Sequence, residues 1–428
     1  MNKFKGQIIF AVLMCIISIF LIKVASDNKN EKATESQSTE SDIDNVVDIW
    51  YSYAGYEQYL EAAITEFKQK TNSEYEFNLR FISEPAYFDY ISEQSKNGEG
   101  PDLYIMASEY LEKAYLLGIL EENDDEDFNE DAYEKTALDA ITYDSKLFGM
   151  PLGFDVAALL YNTDLVTTEI KSFEDIKQFA DTFNDTMSDD ENGQTDVNTT
   201  DTEESRNDIL NIKSIFMWDV NNLLYNYGFI GNSIVIDGKE KNVSISNDGV
   251  LKAVKQYLLL KDYFSLSGQD KYDDIIDSFS KGEVVFTIAG TDAISKIGDS
   301  VNYKAVKMPD LADDILCNGL SYTDIIAVNP RGTNKETAKK FAKFVSYEYA
   351  NNLYDLCGIV SCRNEIEYTN EHINEMHDVY GSAIIMPNLL ATEDYCIVME
   401  EAIKSIWDGD VPKEILDGLQ KKYNERVK

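Results

Sequence analysis

KLFGMPLGFDVAALLYNTDL, residues 146–165, is the stretch of sequence that decides the fold. Its Gly-Met-Pro triplet at 149–151 predicts a turn into extended backbone, because proline fixes its own φ and disfavours a helical conformation at the residue before it. Residues 152–161 are almost continuously apolar, which is typical of a strand buried on both faces. The Asn-Thr-Asp triplet at 162–164 then predicts a turn and a helix start.

A single charge, Asp155, lies inside this apolar run. Burying a lone carboxylate is expensive, so the side chain needs a partner, a ligand or a route to water. One interpretation is that Asp155 binds a ligand. The other is that the strand ends nearby and the carboxylate faces solvent, and the pattern alone does not decide between them.

The length and charge of the chain limit what it can be. With 428 residues it is too long for one compact core of ordinary size, so we expect two domains. Its formal net charge of -40 argues against nucleic acid or an anionic membrane surface as a partner. Twenty-seven tyrosines against three tryptophans favour an aromatic surface that both stacks on polar ligands and hydrogen-bonds to them.

The N-terminal residues predict export. Two lysines precede an apolar run over residues 8–22, so residues 1–25 are predicted to be a signal peptide or a membrane anchor. Cys15 raises the alternative of lipidation, but Met14 fits poorly before a lipoprotein cleavage site, and the apolar run continues past Cys15. Residues 26–44 are polar and predict a disordered, flexible linker.

The residues after the linker predict an α/β lobe. Residues 46–50 have the pattern of a buried strand, 56–70 of an amphipathic helix and 76–82 of an alternating strand. Ligands of such lobes gather at the carboxyl ends of strands, which makes residues 52–55 part of a candidate site.

Four segments in order carry a family resemblance: GPDLYIMASEY at 100–110, the stretch at 146–165, FSKGEVVFTIAG at 279–290 and MPN at 386–388. Together they resemble the maltose-binding-protein-like solute-binding proteins of ABC importers, of the family 1 carbohydrate-binding type. The resemblance covers nearly everything from residue 46 onward. It implies an α/β, periplasmic-binding-protein-like fold, in which a ligand cleft lies between two lobes joined by several crossing segments.

The resemblance also implies that each lobe is built from two parts of the chain. The parts are 45–153 with 303–350 for the N-terminal lobe, and 154–302 with 351–428 for the C-terminal lobe. Within the latter, residues 184–207 are acidic and polar with hardly a side chain to bury, which predicts a disordered insertion.

The function implied by the resemblance is transport. The protein would capture a sugar or oligosaccharide by hinge closure and deliver it to an ABC permease driven by a separate ATPase, without a cofactor. It would act at the extracellular face of the cell membrane, tethered through its N-terminal segment, or as a secreted protein. The alternative is a membrane-tethered ligand sensor or surface interaction protein that is not coupled to transport.

The resemblance assigns some ligand contacts residue by residue. Asp155 and Glu109 occupy places where acids meet sugar hydroxyls through charge-assisted hydrogen bonds. The stacking aromatic residues of the family are altered, since Met106 and Asp292 stand where it has tryptophans. Trp218 falls near the place of a stacking tyrosine.

Three tyrosines, Tyr53, Tyr110 and Tyr395, could restore some of the stacking surface. For each aromatic residue a position in the core or at the rim of the cleft fits the sequence equally well. The three acids named above would also suit an amine-bearing ligand in place of a neutral sugar.

Enzyme signatures are weak in this sequence. His372 and His377 are five residues apart and would point about 140° from each other on a helix, which argues against shared metal ligation and predicts two exposed side chains. The sequence has no P-loop or nucleophile elbow, so we predict a binding protein, not an enzyme. Cys357 and Cys362 are compatible with a disulfide or with two buried thiols.

Overall fold

A computed structural model describes residues 45–83, 87–191, 211–237, 242–386 and 392–426. Val46–Lys428 forms one compact unit. The predicted signal peptide or anchor with Cys15, the linker at 26–44 and residues 387–388 of the fourth motif lie outside the described residues. No helix among the described residues is long and apolar enough to cross a membrane.

The described residues form fifteen strands and fourteen helices. The strands are β1 Val46–Tyr51, β2 Glu76–Phe81, β3 Leu103–Ala107, β4 Thr142–Tyr143, β5 Lys146–Leu147, β6 Met150–Val156, β7 Ala158–Asn162, β8 Ser214–Met217, β9 Val235–Asp237, β10 Asn242–Ser244, β11 Val284–Ala289, β12 Tyr303–Val306, β13 Leu320–Val328, β14 Val360–Ser361 and β15 Ile384–Ile385. The helices are α1 Tyr56–Thr71, α2 Tyr87–Asn97, α3 Leu111–Leu117, α4 Lys135–Ala140, α5 Phe173–Glu191, α6 Leu223–Asn226, α7 Asp248–Tyr263, α8 Tyr272–Ser280, α9 Ala293–Ile297, α10 Lys335–Lys343, α11 Leu353–Cys357, α12 Glu371–Tyr380, α13 Thr392–Asp408 and α14 Pro412–Arg426.

The larger sheet has seven strands in the order β14-β6-β13-β3-β1-β2, with β15 paired to β13. Strand β1 pairs in parallel with β2 and β3, whereas β13 runs antiparallel between β3 and β6. Apolar side chains of α1 and α10, such as Leu60 and Phe341, pack on one face of this sheet. Side chains of α2 and α3, such as Ile91 and Leu111, pack on the other. Both faces are therefore buried, as in an α/β lobe.

The smaller sheet has the order β12-β7-β11-β8. Strand β11 is antiparallel to β7 and parallel to β8. Its core joins Phe173 of α5 to Tyr257 of α7 and Met399 of α13. Two sheets, each with packed helices, agree with the predicted α/β class.

The chain passes from the larger to the smaller sheet at Ala157, which alone separates β6 from β7. The run at 152–161, predicted as one strand, is therefore two strands in different sheets. The Ala157 amide donates to the Leu320 carbonyl at 3.0 Å. A Cβ at Gly319 would lie 1.9 Å from the Ala157 carbonyl oxygen, so this crossing requires a glycine at 319.

The strands do not divide between the two sheets at the predicted lobe boundaries. Strand β12, at the start of the segment 303–350 assigned to the N-terminal lobe, pairs with β7 in the smaller sheet. Strands β14 and β15, within the segment 351–428 assigned to the C-terminal lobe, pair in the larger sheet. Strands of two to four residues are too short for periodicity to show which sheet they join. The division into lobes stays a prediction.

Helix α5 is longer than the sequence predicts. It continues to Glu191, so residues 184–191 of the segment predicted to be disordered are helical. The first glycine in this segment is Gly193, and no proline comes before it to end the helix. Residues 192–207 lie outside the described part of the chain.

Two local expectations need correction. Cys357 and Cys362 are free thiols, so the predicted alternative of a disulfide is wrong. His377 is buried, with its ring edge-on to Phe154 at 5.0 Å between centroids, and His372 is partly buried, so neither is the exposed residue predicted. Burial lowers the pKa of His377 to about 4. Helix α12 places this ring against a strand of the larger sheet, a contact that its five-residue spacing from His372 does not reveal.

Candidate ligand-binding site

The parallel strands β1 and β3 end at the same edge of the larger sheet. Ser52 and Tyr53 follow β1, and the short helical turn Ser108–Tyr110 follows β3. Asp324 of β13 pairs with Ala107 at the end of β3, so it lies at this edge too. The edge forms a small pocket, half of whose lining residues are aromatic: Ser52, Tyr53, Tyr56, Tyr87, Phe88, Ile105, Met106, Ala107, Tyr110 and Asp324.

Three polar side chains share one face of the larger sheet. Asp155 and Tyr322 are paired across β6 and β13, and Asp324 lies two residues further along β13. Side chains alternate along a strand and paired residues point to the same face, so all three face the same way. Burial raises the pKa of Tyr322, and the nearby charges of Glu109 and Asp155 raise it further. Acidic and hydroxyl groups therefore converge here.

Asp324 is held by the first residue of α1. The Tyr56 hydroxyl donates a hydrogen bond to Asp324 Oδ2. Burial raises the pKa of Asp324 to about 6; the hydrogen bond from Tyr56 opposes this rise, and the negative charge of Asp155 adds to it. Asp324 is thus an acid of the site whose ionisation is sensitive to what binds beside it.

Asp155 connects the two sheets. Its Oδ1 accepts hydrogen bonds from the Thr291 amide at 2.8 Å, the Thr291 hydroxyl at 2.9 Å and the Val156 amide at 2.9 Å. Asp155 belongs to β6 of the larger sheet, whereas Thr291 follows β11 of the smaller sheet. Burial raises the pKa of Asp155, its hydrogen bonds lower it, and the charge of Asp292 raises it. The lone charge of the apolar run therefore has its partner across the cleft.

Gly290 allows this close approach. A Cβ at Gly290 would lie 2.8 Å from Asp155 Oδ1 and 3.2 Å from Asp292 Oδ1. The two carboxylates therefore flank the glycine, and a larger residue would push directly against Asp155.

Tyrosines form the wall on the side of the smaller sheet. The Tyr272 hydroxyl donates to Asp292 Oδ1 and accepts from the Gly290 amide at 3.3 Å. The Tyr225 ring stacks on Tyr272 with 4.8 Å between centroids. Lys296 Nζ lies 2.8 Å from Asp292 Oδ2 and 4.7 Å from the Tyr272 ring centroid. Asp292 thus forms an ion pair with Lys296.

Two of the predicted tyrosines lie at the pocket. Tyr53 is 54% exposed and stands edge-on to Tyr56, with 5.8 Å between ring centroids. Tyr110 stacks on Phe88 at 4.8 Å. Of the other predicted residues, Glu109 and Asp155 lie near Tyr322, and Asp292 lies with Asp155 beside Gly290.

Trp218 and Tyr395 lie elsewhere. Both belong to the core of the smaller sheet, at 2% and 1% exposure. The Trp218 indole donates to Asn226 Oδ1 at 2.9 Å, and the Tyr395 hydroxyl lies 3.1 Å from that of Tyr227. Because their polar atoms are bonded inside the core, the structure gives neither of them a surface for a ligand.

Sequence reasoning missed several residues of the site, including these five: Tyr56, Tyr225, Tyr272, Tyr322 and Asp324. A usable signal existed for two of them. In LSYTDIIAV, residues 320–328, period-two spacing puts the tyrosine and the aspartate on one face of a strand. The other three are tyrosines at or near helix starts, where the pattern does not separate cleft from core.

Comparison with known proteins shows the family of the chain. A family model described as "Bacterial extracellular solute-binding protein" matches residues 62–371. The chain belongs to this family. The family resemblance inferred from the sequence is thereby confirmed, and members of this family of extracellular solute-binding proteins are binding proteins.

Two curated relatives of this solute-binding protein match over short segments. One is the maltotriose-binding protein of Pyrococcus abyssi, 31% identical over 91 residues, which are 21% of this chain and 20% of that protein. The other is the maltodextrin-binding protein MdxE of Bacillus subtilis, 22% identical over 132 residues, or 29% of each chain. The matched parts thus span less than a third of either relative.

Solved structures resemble the solute-binding protein over most of its length. An extracellular solute-binding protein of Staphylococcus aureus in complex with maltose has a TM-score of 0.71 and 19% identity, covering 90% of this chain and 98% of that chain. A cyclo/maltodextrin-binding protein complexed with maltotetraose has a TM-score of 0.73 and 16% identity, covering 90% and 97%. At these identities the likeness establishes the fold, and the predicted fold class is confirmed.

Proposed function

We propose that this solute-binding protein captures an extracellular sugar or oligosaccharide between its two sheets by hinge closure and delivers it to an ABC permease powered by a separate ATPase. The observation that carries the proposal is the contact of Asp155 with Thr291 in a tyrosine-lined cleft. A ligand at this point touches both walls when the cleft is closed and one wall when it is open, so binding favours closure.

The chemistry of the cleft suits hydroxyl-rich solutes. Carboxylates of Asp155 and Asp324 accept charge-assisted hydrogen bonds, and tyrosine rings stack on apolar sugar faces. Relatives named for maltotriose and maltodextrin, and similar folds solved with maltose or maltotetraose, support a carbohydrate ligand.

The role is binding without catalysis, and it needs no cofactor. The N-terminal segment tethers the protein to the outer face of the membrane.

A thermal-shift screen of neutral oligosaccharides, amino sugars, polyamines and amino acids tests the binding step. A ligand that binds only the folded state adds about 2.7 kcal/mol of stability at a hundredfold excess over Kd. A rise in melting temperature with an oligosaccharide, abolished by Asp155→Ala, supports the proposal, and rises confined to non-carbohydrates overturn it.

A separate experiment tests delivery: deleting the gene should abolish cellular uptake of the bound sugar. Unchanged uptake would overturn transport in favour of a tethered sensor.

A further inference from the structure

The cleft carries more negative charge than a neutral sugar requires. Asp155 and Asp292 lie on either side of one glycine, and Asp324 is close enough to Asp155 for their charges to repel. Lys296 pairs with Asp292 at 2.8 Å, but it also pairs with Asp273 at 2.6 Å. Across the described part of the chain, no lysine, arginine or histidine forms an ion pair with Asp155 or Asp324. Two carboxylates of the site thus lack a compensating cation.

On each of these two carboxylates, the hydrogen bonds from described residues reach only one oxygen. Hydrogen bonds to Asp155 from described residues all end on Oδ1. The hydrogen bond from Tyr56 to Asp324 ends on Oδ2. A protonated amine supplies both a positive charge and three N–H donors, whereas a hydroxyl supplies one donor and no charge. An amine therefore satisfies both acids where a hydroxyl satisfies one.

Aromatic side chains beside the acids favour the same ligand. The half-exposed Tyr53 ring and its neighbour Tyr56 border the pocket that contains Asp324. The face of a tyrosine ring attracts a cation and also stacks on the apolar face of a sugar. Acids and rings together select a ligand that is both ring-shaped and positively charged.

We propose that the cleft binds an oligosaccharide carrying at least one protonated amino group, with the amine held between Asp155 and Asp324. The assignment rests on the proposed function and names the substrate class within it.

Isothermal titration of the full-length protein at about pH 6 tests the assignment with three tetrasaccharides: the glucosamine tetramer, its N-acetylated counterpart and maltotetraose. The glucosamine tetramer should bind at least about tenfold more tightly than either neutral probe, which is the effect of one charge-assisted hydrogen bond. Asp324→Asn should reduce this ratio severalfold. Asp313→Asn removes the same charge from an exposed position and should leave the ratio unchanged.

Ionic strength provides a readout that does not depend on the fold of a variant. Raising salt should weaken binding of the glucosamine tetramer to the wild-type protein and leave maltotetraose unaffected. Equal or tighter binding of maltotetraose overturns the amine assignment and leaves the proposed function standing. Absence of binding by all three tetrasaccharides overturns the amine assignment, whereas the proposed function fails only if the thermal-shift screen also finds no carbohydrate ligand.

Discussion

Asp155 and Thr291 lie in segments of different sheets and are joined by two hydrogen bonds, from the Thr291 amide at 2.8 Å and the Thr291 hydroxyl at 2.9 Å, to one carboxylate oxygen. The contact joins the walls of the cleft at the point where a ligand would bind. It also explains how an aspartate can lie within a nearly unbroken apolar run. In the proposed function, the acid assigned to the ligand is therefore also the acid that aligns the two walls.

Thr291→Val removes the hydroxyl donor and keeps the amide donor. A hydrogen bond to a charged group contributes about 2 kcal/mol, so we expect the free energy of unfolding to fall by about this amount at neutral pH. Urea denaturation measures the change. Thr168→Val, at an exposed position, is the matched control. An unchanged midpoint for Thr291→Val would show that the hydroxyl contributes nothing to the contact.

Gly290→Ala places a methyl group where the Asp155 and Asp292 carboxylates lie, 2.8 and 3.2 Å from their oxygens. Asp155 must move, so ligand affinity should fall about tenfold, a cost of about 1.4 kcal/mol. Calorimetry measures affinity, and far-UV circular dichroism confirms the fold. Gly418→Ala in α14 meets no atom within 4 Å and should stabilise the helix by about 0.5–1 kcal/mol without changing affinity. Equal affinities for wild type and Gly290→Ala would remove Asp155 from the site.

Asp324→Asn should stabilise the ligand-free protein above about pH 6. The folded-state pKa of about 6 exceeds the ordinary aspartate value of about 3.9, so the folded protein retains a proton that the unfolded chain has released. The stability that the protonated Asp324 gives the folded protein is lost as the pH rises from about 4 to 6. The variant cannot ionise, so it should gain up to about 3 kcal/mol over the wild type across this window.

Urea denaturation from about pH 4 to 8 follows this difference, with Asp313→Asn as the control for loss of one exposed charge. A difference between wild type and Asp324→Asn that stays constant with pH would contradict a raised pKa. Because the same variant should bind ligand more weakly, the site keeps an acid at a cost to stability.

His377→Leu should make the protein less sensitive to acid. Burial holds the His377 pKa at about 4, below the ordinary value of about 6.5, so the unfolded chain takes up a proton that the folded chain does not. Stability from the neutral ring is complete above about pH 6.5 and is lost as the pH falls towards 4. The variant should avoid up to about 3 kcal/mol of this loss in urea denaturation. The difference in the free energy of unfolding between wild type and variant near pH 7.5 measures the change in packing alone. If the free energies of unfolding of the two proteins fell in parallel as the pH is lowered, the prediction would be refuted.

Part of this architecture is predictable from local sequence. Residues 152–161 indicate buried strands because nearly every side chain is apolar, and Asp155 stands out against that background. The division of this run between two sheets depends on the approach of Gly319 to Ala157, which are far apart in sequence. Strands as short as β14 and β15 carry no periodicity, so the sheet that they join follows from tertiary packing.

The same limit applies to the site. Trp218 and Tyr395 fit a ligand platform by position, but a ring with one polar atom suits a core equally well when a partner such as Asn226 or Tyr227 is nearby. Asp324 lies among polar neighbours at 321–323, so period-two spacing is the only local signal of its strand. Long-range contacts, and not residue types, decide whether such a side chain lies at the site or in the core.

Burial of Trp218 has a consequence for how occupancy can be followed optically. All three tryptophans, Trp50, Trp218 and Trp407, are at most 3% exposed, and the Trp218 and Trp407 rings lie 5.9 Å apart. Their emission reports the integrity of the hydrophobic interior, so a flat intrinsic-fluorescence titration carries no information about affinity. A Tyr53→Trp reporter, placed at the half-exposed rim of the pocket, would give the cleft a fluorophore of its own.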